Sequence, residues 1–204
     1  MRSDVIAICG DLSGQKEAMQ EAERFTEYLR LTGKNAMHIR LLTEEAISLV
    51  HGIIHDFKGD FWRESEQTEQ GILCRICVAA NTDVTDGQEQ KLLDVSTTGR
   101  NEEAKGIMGK IRQVLRWSIQ HTDDEQSVKQ AWFERGSYAV RDANAVNYYW
   151  SLAVYRDSVE NDPKFDAEER DELEKSIIAK LSDEVKVGIR SGKAEVIIEK
   201  RLPN

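Results

Sequence analysis

Two histidines one helical turn apart have the spacing that most directly suggests metal chemistry. His51 and His55 share a helical stripe with Ser48 and Glu44, so both imidazoles could bind a transition metal with Glu44 as a third ligand. Gly52 follows His51 where the metalloprotease motif has a glutamate, so protease chemistry is not expected. A solvated polar helix face explains the pattern more simply, and we expect no metal site here.

A Cys-x-x-Cys pattern, formed by Cys74 and Cys77, is the second candidate. The flanking residues alternate between apolar and polar like a half-buried strand, and residues three apart on a strand point to opposite faces. With Cys9 the chain has 3 cysteines and no disulfide-framework spacing, which suits a reducing compartment. We therefore predict structural cysteines and a cytoplasmic protein.

The stretch STTGRNEEAKGIMGK, residues 96–110, has a composition typical of an anion site. Glycines, hydroxyls and the cations Arg100, Lys105 and Lys110 precede a predicted helix, whose start favours negative charge. The spacing and the Lys-Ser/Thr pair of a P-loop are missing. A long loop followed by a capped helix is the preferred interpretation.

The composition favours an ordinary globular domain. Of 204 residues, 40% are hydrophobic and 32% charged, and the net charge of −9 opposes binding to nucleic acid. The apolar run at the start, Val5 to Cys9, is too short for a secretory signal or a membrane span, so no membrane association is expected.

Hydrophobic periodicity predicts the elements that must position any site. The first half of the chain is predicted to form a strand at 5–9, a helix stopped by Gly33, a helix capped by Asn35 and strands at 61–67 and 72–78. After a loop at 80–105, the second half is predicted to form a helix from Gly106, a helix at 147–160 and a helix capped by Asp166 and running to Leu181. A hairpin of 185–189 with 196–198 closes the predicted fold. The segment 147–160 also fits a strand. This order predicts an α+β fold, a two-layer sandwich of a mostly antiparallel sheet under helices.

Three stretches within this order resemble the ATPase superfamily shared by gyrase, the heat-shock chaperone and histidine kinases, and most of all its anti-sigma-factor serine kinases. They are LLTEEAISLVHGIIHDF, ILCRICVAANTD and LEKSIIAKLSDEVKVGIRSGKAEVIIEKRLP. The resemblance implies the histidine-kinase-like ATPase fold in a single domain, 1–204. It leaves about 100–165 as a helical enlargement, a lid or insertion.

The resemblance also implies a nucleotide site, from which this chain departs. The general-base glutamate would fall on Glu45, but the magnesium-binding asparagine would fall on Leu49, which has no oxygen to offer a hard cation. The adenine-binding aspartate would fall near Ala80, which cannot accept a hydrogen bond from the base, and the following glycine near Thr82. Shifts of register could bring the alternatives Ser48, Asn81 or Asp83 into one of these roles.

At the third motif the resemblance places Glu172 and Glu174 where the family has glycines that approach phosphate at a helix start. A carboxylate ~4 Å from a phosphate charge in a partly solvated site repels it by on the order of 4 kcal/mol. Acidic residues in a first helical turn also stabilise the helix, which is the simpler reason for their presence. Leu49 is likewise most simply a core residue that fills the emptied pocket. Both of these simpler explanations predict a cleft that is closed to ATP.

Three functions remain open on the sequence. The first is a non-catalytic relative that acts as a regulatory or protein-interaction module in bacterial signalling, binds another protein and needs no cofactor, with a homodimer possible. The second is an active ATP- and Mg²⁺-dependent serine kinase of the anti-sigma type, with Glu45 as its base. The third is a metal or small-anion sensor. Seven aromatic residues between 132 and 155 build either a local core or an interaction surface.

Overall fold

A computed structural model describes residues 1–11, 13–51, 58–80, 107, 109–111, 140–141, 147–161, 163, 167–190 and 193–203 of the chain. Its strands are β1 (Ile6–Cys9), β2 (Lys58–Thr68), β3 (Gly71–Ala80), β4 (Val140–Arg141), β5 (Asn147–Ser151), β6 (Glu184–Arg190) and β7 (Lys193–Leu202). Its helices are α1 (Gln15–Tyr28), α2 (Gly33–His51), α3 (Leu152–Asn161), α4 (Ala167–Lys175) and α5 (Ile177–Leu181). The fold class α+β is confirmed.

The strands form one antiparallel sheet of seven strands in the order β1-β2-β3-β7-β6-β5-β4. The predicted hairpins β2–β3 and β6–β7 are both present, and β7 joins them by pairing with β3. Gly71 closes the first turn with φ 120°, and a Cβ there would lie 2.1 Å from the carbonyl oxygen of Leu202. Only glycine fits this turn, because both the backbone angle and the close approach exclude a side chain.

The helices pack on one face of the sheet, which we call the helix-covered face. Its main core combines apolar side chains of α1, α2, α3 and α5 with those of the strands beneath them. A second cluster on the same face joins Phe25 and Ile39 of the helices to Cys74 and Leu202. On the other side, which we call the second face, the described apolar cluster consists of strand residues alone, namely Trp62, Cys77, Ala79 and Ile197.

One charged side chain lies inside the helix-covered layer. Arg63 of β2 is fully buried, and its guanidinium stacks on Phe61. Its Nη2 donates hydrogen bonds to the Ala18 carbonyl at 2.8 Å and to Thr43 Oγ1 at 3.2 Å. Among the described residues its Nε and Nη1 have no hydrogen-bond partner. Burial lowers the pKa of Arg63 to about 10, although the negative charge of Glu21 opposes this shift.

Two predicted helix boundaries were wrong. Helix α1 ends at Tyr28, and Arg30 already has φ 53°, so the chain turns before Gly33. Gly33 instead begins α2, and Asn35 lies inside the first turn rather than at the cap. The left-handed residue that ends a helix is usually glycine, and an arginine in that role gives no signal in the sequence.

The prediction of a helix throughout 147–160 was also wrong. The segment is a strand, β5, followed directly by α3. Trp150 and Tyr155 from this segment are both buried in the main core, so these two aromatic residues build core rather than surface. Of the proposed enlargement at about 100–165, the described part includes strands β4 and β5 as well as helical residues, and β5 pairs with β6 in the sheet.

The predicted helix ending at Leu181 is two helices. Ser176 has extended backbone angles (φ −69°, ψ 123°), and its side chain accepts a hydrogen bond from the Ala179 amide at 3.3 Å. A serine that caps a new helix competes with continuation of the old one, so the chain restarts as α5. The predicted cap Asp166 lies outside the described residues.

Candidate functional site

The first candidate site is the nucleotide cleft implied by the resemblance, beginning with the metal position on α2. Leu49 is 1% exposed and belongs to the main core. Glu45, one turn earlier, is half-buried, and Ser48 is exposed. A packed leucine in this place leaves neither space nor an oxygen ligand for Mg²⁺, which needs near-octahedral oxygen coordination.

The position at which the resemblance implies adenine binding lies at the end of the central strand β3. Ala80 is the last residue of this strand, and it is flanked by Gly59 of β2 and Ala194 of β7. Helix α2 packs on both β3 and β7, so the sheet brings the strand end and the helix into one layer. Thr82 and the alternatives Asn81 and Asp83 lie outside the described residues.

The phosphate position differs from the expectation, because Glu172 and Glu174 are not in a first helical turn. They are the sixth and eighth residues of α4, which runs from Ala167 to Lys175. At these positions the backbone N–H groups donate to carbonyls four residues earlier and are not available to an anion. A favourable interaction with the positive end of the helix macrodipole therefore does not explain these acidic residues, since Glu172 and Glu174 lie in the second half of the helix.

The other sequence candidates have mixed outcomes. His51 ends α2, while His55 and residues 96–106 lie outside the described residues. Glu44, the proposed third ligand, forms an ion pair with Arg40 at 3.4 Å. Within the described part of the chain, no group of three or more His, Cys, Asp or Glu side chains is placed to hold a metal ion.

The prediction for the two strand cysteines is confirmed. Cys74 packs on the helix-covered face with Phe25 and Leu202, while Cys77 packs on the second face with Trp62. Both thiols are free and buried. Burial raises the pKa of Cys74 to about 11 and that of Cys77 well above its ordinary value, so both are protonated and unreactive at neutral pH.

The second face carries a row of charges across four strands. Glu66 of β2 accepts hydrogen bonds from both terminal nitrogens of Arg75 at 3.1 Å, and the Arg75 Nε donates to Glu199 at 3.3 Å. Lys186 of β6 donates to the same Glu199 oxygen at 3.5 Å. Alternating charges on neighbouring strands stabilise the register and leave a polar, nearly neutral surface.

Beside this row lies a groove whose floor is Trp62. The N-terminal residues run along β2, with the Ser3 amide donating to the Arg63 carbonyl at 2.8 Å, and this places Arg2 opposite Glu64. The Arg2 guanidinium lies 4.9 Å from the centre of the Trp62 ring, and its Nε is 3.9 Å from Glu64 Oε1. The indole N–H donates to the same oxygen at 3.0 Å, which fixes the ring.

The opposite wall of the groove comes from β7. Lys193 pairs with Asp60 at 3.3 Å, and the Glu195 carboxylate is only 2% exposed. We name this feature the Trp62 groove; its charged and aromatic lining is Arg2, Asp60, Trp62, Glu64, Lys193 and Glu195. Its volume of about 290 Å³ is at the lower end of the range for small-molecule sites, so it has room for one side chain rather than a nucleotide.

A shallower depression lies among α3, α4 and α5, and Glu174 contributes to its lining. Its most buried charged member, Arg156, is already engaged: it donates to the Ala179 carbonyl and to the carbonyls of Ser182 (3.3 Å) and Asp183 (3.4 Å). These are carbonyls at and just beyond the end of α5, which need donors. This depression is therefore best explained by helix capping.

The Trp62 groove was not predicted, although part of its signal is in the sequence. Asp60, Trp62 and Glu64 alternate along β2 and so share one face, which the strand period alone indicates. Arg2 and the β7 residues come from opposite ends of the chain. Only the strand order brings these segments together.

Comparisons with known proteins give no relative for this chain: no family model, no curated protein and no solved structure matches it. Among the helices that are described, none has both the length and the apolar character needed to cross a membrane.

Proposed function

We propose that this chain is a non-catalytic relative of the histidine-kinase-type ATPases, closest to the anti-sigma-factor serine kinases, that acts as a regulatory protein-interaction module in bacterial signalling. The observation that carries the proposal is Leu49, 1% exposed in the main core at the position where the family holds magnesium. In these enzymes the metal neutralises the phosphate charge, so a chain without a metal ligand lacks the main electrostatic element of the reaction.

The backbone at the phosphate position supports the same conclusion. Because residues 172 and 174 lie in the second half of α4, their N–H groups are used inside the helix. Replacing both glutamates by glycine would remove the negative charge but would not free these donors. The loss of function we propose therefore lies in the local fold as well as in the residue types.

The second face supplies the surface that an interaction module needs. Its described apolar cluster is small and made of strand residues, and it is bordered by the charged row and by the Trp62 groove. The apolar cluster is itself buried, so the part of this face that a partner would contact is the partly exposed charged row and the charged lining of the groove. We infer that the partner, another protein, binds on this face.

Thermal unfolding with and without MgATP tests the non-catalytic part of the proposal, with MgADP and EDTA as controls. A ligand present at about 100 times its dissociation constant would add about 2.7 kcal/mol, which for a chain of this size is a shift of roughly 5–10 °C. We expect no shift at millimolar nucleotide. A magnesium-dependent shift would overturn the proposal and support the kinase alternative, in which case Glu45→Gln should retain nucleotide binding and lose phosphate transfer.

Capture of partners tests the interaction part. Wild-type chain, Arg75→Ala and the matched variant Arg24→Ala are each coupled to a support after circular dichroism has shown that they are folded. Arg75 joins the charged row on the second face, whereas Arg24 is exposed on α1. We expect Arg75→Ala alone to lose the captured protein. Equal capture by both variants would rule out the second face as the interface.

A further inference from the structure

The Trp62 groove already holds a guanidinium, that of the chain's own Arg2. Arg2 lies over the ring at 4.9 Å and close to Glu64, yet its side chain remains 56% exposed. An exposed ion pair of this kind contributes little stability, and the cation–π contact adds a similarly small amount at an exposed site. Arg2 is therefore a loosely held occupant that a stronger ligand of the same chemistry can displace.

The groove itself is more rigid than its occupant. Trp62 is 7% exposed and its indole N–H is bonded to Glu64, so the ring does not depend on Arg2 for its position. Apart from Arg2, the described charged lining consists of the ion pair between Lys193 and Asp60 and of two further carboxylates, of which that of Glu64 lies beside the indole. The electrostatic field of the lining without Arg2 favours a cation above the Trp62 ring.

The shape of the groove selects among cations. The acidic side chains are not placed to hold a metal ion, as no such group occurs in the part of the chain that is described. A planar guanidinium can stack on an aromatic face while it remains within ion-pair distance of a carboxylate beside the ring, as Arg2 does with Trp62 and Glu64, and a compact ammonium cannot stack in this way. Arg2 is itself part of the lining, so the position above the ring becomes free for a second guanidinium only when Arg2 moves away.

We propose that the Trp62 groove recognises an arginine side chain on the partner protein, and that Arg2 occupies the same place until the partner binds. The inference rests on the proposed function, since it names the chemistry that the interaction module would recognise. Because the partner's arginine must displace Arg2, it should bind more weakly to the wild-type chain than to a chain without Arg2. If Arg2 leaves the groove free for only a tenth of the time, the apparent affinity falls about tenfold.

The test is a titration with N-acetyl-arginine amide, followed through the indole N–H signal of Trp62 in ¹H–¹⁵N NMR spectra. The signal is assigned by its absence in Trp62→Phe. We expect a saturable shift in Arg2→Gln, and in the wild type the same shift with about tenfold weaker affinity. N-acetyl-citrulline amide, which has the same shape and no charge, should give no shift.

Two matched variants in the Arg2→Gln background locate the site. Glu64→Gln should abolish binding, because Glu64 orients the indole and faces the guanidinium. Glu66→Gln, two residues along the same strand face, should leave binding unchanged, because Glu66 is paired with Arg75 instead. Retention of the wild-type pattern of amide signals shows that each variant is folded.

Three results would overturn the inference: no Trp62 shift in Arg2→Gln, equal affinity in Arg2→Gln and wild type, or equal binding of N-acetyl-lysine amide. None of these results bears on the thermal-shift test with MgATP. Conversely, a magnesium-dependent thermal shift would overturn the proposed function without altering the titration. The two failures are therefore distinguishable.

Discussion

Replacing the buried Arg63 by methionine should stabilise the protein. Arg63 is fully buried between β2 and the helices, and two of its three guanidinium nitrogens have no hydrogen-bond partner among the described residues. Methionine is similarly long, flexible and apolar, so it can fill the space without leaving a cavity. The exchange removes a charge from the interior and keeps most of the packing.

The pKa of Arg63 provides the magnitude. It falls from 12.5 to about 10, and burial is the largest cause. At 1.36 kcal/mol for each pKa unit, keeping the guanidinium charged at neutral pH costs roughly 3 kcal/mol. The two hydrogen bonds of Nη2 offset part of this cost, so we expect Arg63→Met to raise the free energy of unfolding by about 1–3 kcal/mol.

The groups that Arg63 contacts keep other partners when it is removed. The Ala18 carbonyl lies inside α1, where it accepts a bond from the helix, and Thr43 Oγ1 donates to the Ile39 carbonyl at 2.8 Å. Glu21 retains its ion pair with Arg24 at 3.3 Å. The exchange therefore leaves none of these three groups without a partner, which is the condition under which it is not destabilising.

Urea unfolding followed by circular dichroism measures the effect at pH 7, with Arg63→Ala as the matched control. Alanine also removes the charge but leaves a cavity, so it should be about 2–5 kcal/mol less stable than the methionine variant. Between pH 10 and 12.5 the unfolded chain binds more protons at residue 63 than the folded chain does, so the free energy of unfolding of the wild type rises with pH. The difference in stability between Arg63→Met and the wild type therefore becomes smaller over this range. A loss of more than about 2 kcal/mol in Arg63→Met at pH 7 would refute the reasoning, because it would mean that the charge itself holds the layers together.

Two further predictions concern the cysteines and Arg156. In the folded protein at pH 8, Cys74 should react with a thiol reagent far more slowly than half-buried Cys9. The pKa of Cys74 is about 11 instead of the ordinary 9.0, which lowers the thiolate fraction of Cys74 roughly 100-fold. Equal rates before denaturant is added would contradict this prediction. Arg156→Leu should lower the thermal midpoint by roughly 2–8 °C, because the carbonyls at the end of α5 lose a charged donor worth about 1–2 kcal/mol. Exposed Arg24→Leu is its control, and an unchanged midpoint in Arg156→Leu would show that water replaces the cap.

Local patterns were sufficient where one period dominated the segment. The alternation from Ile72 to Val78 predicted β3, and the same period placed Cys74 and Cys77 on opposite faces, as the structure shows. The closing hairpin was predicted for the same reason. In residues 147–160 the helical period and the strand period both fitted the apolar residues. The sequence could not locate the boundary between β5 and α3 there, because pairing with β6 decides it.

Burial of polar residues was the main feature that the sequence did not predict. Arg63 stands in FWRESEQ among residues typical of a solvent-exposed strand, and only the packing of α1 and α2 places it inside. The break at Ser176 depends on a cap that competes with an otherwise acceptable helix, and it changes the meaning of Glu172 and Glu174. The first-turn position expected for both glutamates was therefore wrong, and with it the local reason given for their presence.

The sequence by itself determined the class of fold, the two hairpins and the place of Leu49 in the core, since each depends on residue type or on a short-range period. The tertiary structure alone decided the burial of Arg63 and the assembly of the Trp62 groove. That groove joins residue 2 to residues 60–64 and 193–195 through the strand order. Contacts between such distant segments depend on the register of the whole sheet, which no local pattern specifies.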